Sequence, residues 1–546
     1  MKASVLNRCS SFYDGLAKEV QRLSRRGTDP ETTLRWIGLA ARFAWETGVG
    51  RYADGMIENA ALKIGGILDH FPEPIASNDR SDLNISLPSN TRLKILHVAT
   101  TISIEGHGRL INNLVKNDPK TCHSLIVTNQ GNTKLPTWLG ETISRNGGAV
   151  IQLPSTSMFL SKAKWLRAVA RSGVDAIILH HHPNDPIPIV ALAMHDCPPT
   201  AVMNHADHVF WLGSSVADTV VNIRQSGLHV SKTRRFSRHN CLLPIPLSAP
   251  SETLTKEEAR QKLGIPSDQQ MLLSIGSAYK YQATETHDFF RTTARILSRY
   301  PKAHLYVIGV EKKQLANLHA FHQKQLHLLG RIEDVRPFYS AADLYLEGFP
   351  IGSQTAFLDA VAAGVCSILS LIPESALLAT DDPALDGILQ HPKTEDEYVA
   401  LVGSLIENKE QRESIVRQVK DRVLAYHCHD QWAAHLKDLY NFLANHPHVP
   451  APISEGCFMD TPDDIAWNAF AARSYHEAIL AQHLAVQHFP ALRLNDLFRL
   501  LTISINVRDT PLAYGPLRSW PWIFKRKLKE TLRSVLSPTY PAVGSD

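Results

Sequence analysis

One stretch constrains the fold of this chain more than any other: Leu344–Ser370, LYLEGFPIGSQTAFLDAVAAGVCSILS. It begins as a short apolar run, Leu344–Leu346, and turns through Gly348, Pro350, Gly352 and Ser353. An amphipathic helix over Gln354–Ala363, stopped by Gly364, then leads into a second apolar run, Val365–Leu371. Strand, loop, helix and strand in that order make the repeating piece of a parallel sheet. The loop leaves backbone N–H groups free at a helix N-terminus, where the dipole favours an anion. Thr355 adds a hydroxyl for a phosphate. Asp359, four residues on and on the same helix face, is placed to accept from ribose hydroxyls. The same spacing fits a plain turn with a solvated Asp359, so the surroundings decide.

The surroundings repeat the rhythm. Lys94–Ala99, Ser124–Thr128, Ala149–Leu153, Ala176–His181, Thr200–Asn204 and Asn240–Leu243 read as strands, with helices such as Leu110–Asn117 and Lys162–Ser172 between them. After the Pro- and Ser-rich Pro244–Thr255, strands are expected at Met271–Ile275, His304–Ile308, Leu326–Leu329, Leu344–Leu346 and Cys366–Leu369. The expected fold is α/β: two doubly wound parallel-sheet, Rossmann-like domains with helical additions at both ends. The boundaries are a helical region and linker over 1–90, a first domain over 91–250, a second over 251–446 and a helical extension over 447–546. A chain of 546 residues exceeds one ordinary core, in keeping with this division. Its 57 basic and 53 acidic residues leave +4, too near neutral to argue for nucleic acid. Seven scattered cysteines with no C-x-x-C argue against a disulfide framework or a zinc site and for a reducing cytoplasm. The opening MKASVLNRCSSFYDGL lacks a signal-peptide core, and no apolar run reaches membrane-spanning length.

Four polar clusters follow strands, where ligands bind in open α/β sheets. In Glu105-Gly-His-Gly-Arg109, His107 is free to act as base or donor between two glycines. In Leu179-His-His-His-Pro-Asn-Asp185, adjacent histidines on a strand point to opposite faces, which speaks against one shared metal ion. In Asn204-His-Ala-Asp-His-Val-Phe-Trp-Leu-Gly213, His205, Asp207 and His208 are candidates to bind or deprotonate a hydroxyl, and Phe210 and Trp211 to stack on a sugar. In Ser274–Tyr281, Lys280 is a candidate phosphate ligand facing Ser353–Thr355 across the sheet. The tail SWPWIFKRKLKETLRSVL is aromatic and basic, suited either to packing on the protein or to peripheral contact with an anionic membrane.

With Gly330-Arg-Ile-Glu-Asp334, Tyr339-Ser-Ala-Ala-Asp343 and EGFPIGSQTAFLDAVAAGV in view, residues 270–370 resemble the nucleotide-sugar half of GT-B glycosyltransferases. Glu347-Gly-Phe349 is similar to the start of the retaining family-4 motif, but eight residues on stands Thr355 rather than a second Glu. Gln354-Thr355 followed by Asp359, with Tyr279-Lys280, resembles the inverting branch that includes O-GlcNAc transferase and bacterial protein N-glucosyltransferases. The segment NHADHVFWLG resembles one found in bacterial transferases of surface-glycan or protein glycosylation. The resemblance implies a cytoplasmic, metal-independent hexosyl or N-acetylhexosaminyl transferase. It would use a nucleotide diphosphate sugar, UDP-linked, with no further cofactor and a glycan or protein acceptor. Donor binding would fall to Lys280, Arg331, Ser353, Gln354, Thr355 and Asp359, and acceptor activation to His107, His205 or His208. A nucleotide-sugar epimerase and a non-catalytic scaffold of the same fold are the alternatives. Because the two branches differ in stereochemistry, inversion or retention stays open, with the loop spacing leaning to inversion.

Overall fold

The computed structural model describes residues 2–27, 29–71, 92–103, 106–131, 133–155, 158–247, 254–314, 324–428, 430–471, 480, 484–485, 492–507 and 519–536. The expected linker over 74–90 and Glu105 lie outside them. Three helices open the chain: α1 (Lys2–Arg25), α2 (Pro30–Thr47) and α3 (Gly55–Gly66). Asp29 caps α2 by accepting from the N–H groups of Glu31 and Thr32, with Pro30 at the first helical position. Trp36, Ile37, Ala40 and Phe43 then fall on its buried side. Glu58 of α3, fully buried, accepts from the N–H groups of Gly213, Ser214 and Ser215 at 3.2, 3.3 and 2.8 Å. Three donors on one carboxylate fasten the helices to the first domain.

That domain runs β1 (Lys94–Ala99), α4 (His107–Asn117), β2 (Cys122–Val127), α5 (Thr137–Arg145), β3 (Val150–Gln152), α6 (Phe159–Ala170), β4 (Ala176–His180), α7 (Ile187–Ala191), β5 (Thr200–Asn204), β6 (Thr219–Asn222), α8 (Gln225–Arg234) and β7 (Asn240–Leu242). Its seven parallel strands lie in the order β3-β2-β1-β4-β5-β6-β7. Both faces are covered, which explains the near-continuous apolar strands. Strand β6 is absent from the sequence reading. It is four residues long between polar Asp218 and Ile223-Arg224, so it carries no period of its own.

The second domain runs α9 (Lys256–Leu263), β8 (Gln270–Ile275), α10 (Phe289–Arg299), β9 (Ala303–Ile308), β10 (Leu326–Leu328), α11 (Arg336–Ala341), β11 (Leu344–Leu346), α12 (Gln354–Ala362), β12 (Cys366–Ile368), α13 (Glu395–Glu407) and α14 (Lys409–Cys428). Its five parallel strands take the order β10-β9-β8-β11-β12. Helix α15 (Asp430–Asn445) then crosses back: Trp432 donates to the Pro244 carbonyl at 2.9 Å, and Leu436 and Leu439 pack with Ile95 and Ile178 of the first sheet. The chain next runs beside the N-terminal helices, with Gly55 N–H donating to the Ser454 carbonyl and Met459 N–H to that of Gly50. It then forms α16 (Pro462–Ala471). In the helix Ser519–Leu536, Ile523 is buried and Phe524 packs on Phe498 with centroids 4.4 Å apart, while Trp522 stays 57% exposed. The side chain of Trp520 lies outside the described residues. No described helix is long and apolar enough to cross a membrane.

Candidate active site between the two sheets

In each sheet the strand order reverses once, between β1 and β4 in the first and between β8 and β11 in the second. Loops diverge at such a point and leave a crevice. The two crevices face each other. Arg109 donates to the Glu333 carbonyl at 3.2 Å, Asn113 to that of Pro246 at 2.9 Å, and Ser226 N–H to Asp381 at 2.7 Å.

On the second-domain side, the loop after β8 makes one helical turn over Ala278–Tyr281 and delivers Lys280. Its ammonium donates to the Gly352 carbonyl at 2.9 Å and to Ser353 Oγ at 3.1 Å, at the N-terminus of α12. An ammonium has three N–H bonds, so two such contacts leave one for a ligand. Burial, with Arg224 nearby, lowers the Lys280 pKa to about 8. The loop after β11 is compact because Gly352 brings its backbone against Glu347: a Cβ there would sit 2.2 Å from Glu347 Oε1. Glu347 is fully buried and accepts from the N–H of Ser370 at 2.9 Å and of Thr380 at 3.1 Å, and from the Thr380 hydroxyl at 2.5 Å. These three bonds all come from loop residues, so Glu347 holds the site's shape.

Ser353 is the residue before α12, and Thr355 stands exposed in its first turn. The Gln354 amide donates to the Ile223 carbonyl at 3.5 Å and to Asp382 at 3.3 Å, and its Oε1 is buried with no hydrogen-bond partner among the described residues. Asp359 is half-buried, and burial lifts its pKa to about 6 against the pull of Arg109 and His427. Arg331 is exposed, two residues before the Glu333 carbonyl that Arg109 reaches.

On the first-domain side, His107 is the first residue of α4, and His205 follows β5; their rings lie 4.0 Å apart. Burial, then the neighbouring His182 and His181, lowers the His107 pKa to about 4, so this ring is neutral near pH 7. His208 is turned another way. It lies 3.5 Å from Asp207, edge-on to Trp467 at 4.8 Å, and is lowered by burial and by the charges of Arg224 and Lys280. The proposed acceptor histidines thus split into a pair and a third ring on the donor side.

Two readings of this region are corrected. Phe210 and Trp211 are 2% and 4% exposed and belong to the core beneath the N-terminal helices, out of reach of a sugar. Asp207 is engaged by Arg224, whose guanidinium also donates to the carbonyls of Ala379 at 2.7 Å and Leu377 at 2.8 Å. Arg224 therefore ties the two domains at the site. The three consecutive histidines diverge as the strand geometry requires: His180 meets His97 and His205, His181 the Leu212 carbonyl, and His182 Asn184.

Sequence reasoning gave Arg109 no role of its own, passed over Arg224, and placed a helix at α16 without its link to the donor loops. That helix packs Ala466 and Phe470 on Ile351 and Leu378 of the donor loops, while Trp467 donates to the Trp45 carbonyl at 3.2 Å. Asn468 donates to the carbonyls of Thr47 and Gly48, so α16 joins the N-terminal helices to the donor loops.

Residues 269–408 match the family model described as "Glycosyl transferases group 1". No curated protein matches the chain. Among solved structures, a glycosyltransferase from Rickettsia africae ESF-5 is 12% identical, with a TM-score of 0.51 over 65% of this chain and all of that one. A mutant Thermobaculum terrenum O-GlcNAc transferase is 14% identical, with a TM-score of 0.48 over 78% of this chain and 82% of that one. Anabaena Alr3699/HepE in complex with UDP and glucose is 12% identical, with a TM-score of 0.48 over 65% of this chain and 100% of that one. At 12% identity the likeness to the Rickettsia protein is one of fold, and two facing parallel-sheet domains make that fold GT-B.

Proposed function

We propose that this GT-B chain, whose second domain is a group 1 glycosyl transferase domain, moves a hexosyl or N-acetylhexosaminyl group from a UDP-sugar to a hydroxyl or amide of a glycan or protein. The observation that carries the reading is the meeting of Lys280 with Ser353 at the N-terminus of α12, with Asp359 further along the same helix. One end suits a diphosphate and the other a ribose. The acceptor gives its proton to the His107–His205 pair. Its oxygen or nitrogen bonds to the sugar C1 as the C1–O bond to the diphosphate breaks. UDP leaves with its charge balanced by Lys280 and the helix N-terminus. Because these groups supply the positive charge, transfer is expected to proceed without a metal ion and to survive EDTA. The test is a panel of radiolabelled nucleotide sugars with glycan and protein acceptors, alongside calorimetric titration with UDP. Tight UDP binding lost in Lys280→Ala supports the reading; no UDP binding by the wild type overturns it.

A further inference from the structure

Four histidines of the first domain, three on neighbouring strands and one just after a fourth, join nitrogen to nitrogen. His205 Nε2 lies 2.9 Å from His180 Nδ1, His180 Nε2 2.9 Å from His97 Nδ1, and His97 Nε2 3.0 Å from His123 Nδ1. The line ends at Asp118, whose Oδ2 is 3.2 Å from His123 Nε2 and 2.9 Å from the Tyr440 hydroxyl. Strand register puts them together: His180 pairs with Ala99 and His123 with Ile95, two residues either side of His97, so the three rings share one sheet face. The line starts at the half-exposed His205 in the cleft and crosses the sheet to a carboxylate whose side chain is 12% exposed. His97, His123 and His180 are 0%, 0% and 1% exposed in a layer otherwise filled by apolar side chains.

The order of the nitrogens fixes the direction of every proton. An ionised carboxylate only accepts, so His123 presents Nε2–H to Asp118 and its Nδ1 lone pair to His97. The same logic passes up the line and leaves His205 with Nε2–H bound to His180 and a bare Nδ1. Among the described residues the His205 side chain makes one hydrogen bond, through Nε2, which leaves Nδ1 to the acceptor. Burial keeps His97, His180 and His205 well below the ordinary imidazole pKa, so a lone imidazolium is costly at any of the three. The other titratable groups against the line are His107, His181 and Tyr440.

We propose that His205, His180, His97, His123 and Asp118 form a proton relay that draws the acceptor's proton out of the cleft and passes it transiently to Asp118. The proposal rests on the transferase reading. As the acceptor bonds to C1, its proton passes to His205 Nδ1. Each Nε2–H then moves to the next ring's Nδ1, and the last proton reaches Asp118, a neutral acid only in passing, because His123, Thr121 and Tyr440 outweigh burial and hold its carboxyl below the usual carboxylate range. Four rings change tautomer and none stays charged. When product leaves, the sequence reverses and the proton departs through His205. His205 is the catalytic residue; His180, His97, His123 and Asp118 act through it.

The test uses the full chain with 15N-labelled histidine, the His205 signals being assigned by their loss in His205→Asn. A wild-type His205 with bare Nδ1 and protonated Nε2 is expected; the opposite tautomer overturns the relay whatever the variants do. His97→Gln keeps both hydrogen bonds but cannot exchange tautomers. It is expected to lower kcat by about 100-fold or more while the KM for donor and the Kd for UDP stay unchanged. Unchanged kcat in His97→Gln overturns the relay and leaves the transferase reading standing. A wild type that neither binds UDP nor transfers sugar overturns the transferase reading and, with it, the relay's catalytic role.

Discussion

Replacing Asp359 by Asn is expected to stabilise the protein and weaken its ligand binding together. Burial lifts the Asp359 pKa from 3.8 to about 6. Between those values the folded state binds more protons than the unfolded state, so stability falls as pH rises through the window. Above pH 6 the accumulated loss is about 3 kcal/mol, at 1.36 kcal/mol for each pH unit of difference. Asn carries no charge and avoids that loss. Asp359→Asn should therefore gain up to ~3 kcal/mol over the wild type at pH 8, shrinking to about half at pH 5. Urea unfolding of both proteins at the two pH values reads this directly. The same change removes the charged acceptor for ribose hydroxyls. Hydrogen bonds to charged groups contribute roughly 1.5–3 kcal/mol each, so UDP affinity should fall about 10–100-fold. Wild-type UDP affinity should itself decline as pH drops below about 6. An Asn variant no more stable than wild type at pH 8, or a gain of equal size at pH 5 and pH 8, would refute the reasoning.

Lys280→Met should raise the Kd for UDP by about 100-fold. Wild-type affinity should weaken between pH 7 and pH 9, because a lysine lowered to about 8 loses its charge as pH rises through that value. Arg224→Met leaves the buried Asp207 uncompensated and releases two carbonyls of the second domain. It should cost roughly 3–5 kcal/mol in chemical denaturation. Trp467→Ala removes a half-buried indole between α16 and the N-terminal helices. It should cost about 2 kcal/mol and speed proteolytic cleavage in residues 447–471.

The donor side was legible because its chemistry is local. Small residues, a helix start and an Asp one turn on lie within a dozen residues, and Lys280 reaches Ser353 because both occupy loops at one switch point. The acceptor side depends on register. His97, His123, His180 and His205 are scattered in sequence, and only strand pairing puts them in line. Phe210 and Trp211 misled because aromatic side chains beside polar ones suit a sugar site and a core edge equally well. The N-terminal helices, not a ligand, cover them. Arg224 was hidden with the short strand β6 that precedes it. Helix α16 meets Ile351 from more than a hundred residues away, and a long-range contact of that kind leaves no periodic trace.

The N-terminal core draws its last members from the far end of the chain. Trp36 donates to Asp496 at 2.9 Å across 460 positions, and Leu497, Leu500 and Ile523 complete the cluster begun by Phe12, Leu16 and Phe43. A ribosome adding about 5–20 residues per second needs roughly 20–90 s to make the intervening chain. Through that interval the first helices emerge with an apolar side still uncovered. Residues of α1 and α2 are thus made long before they can be fully buried, and nascent chains halted before residue 494 should present that side to chaperones.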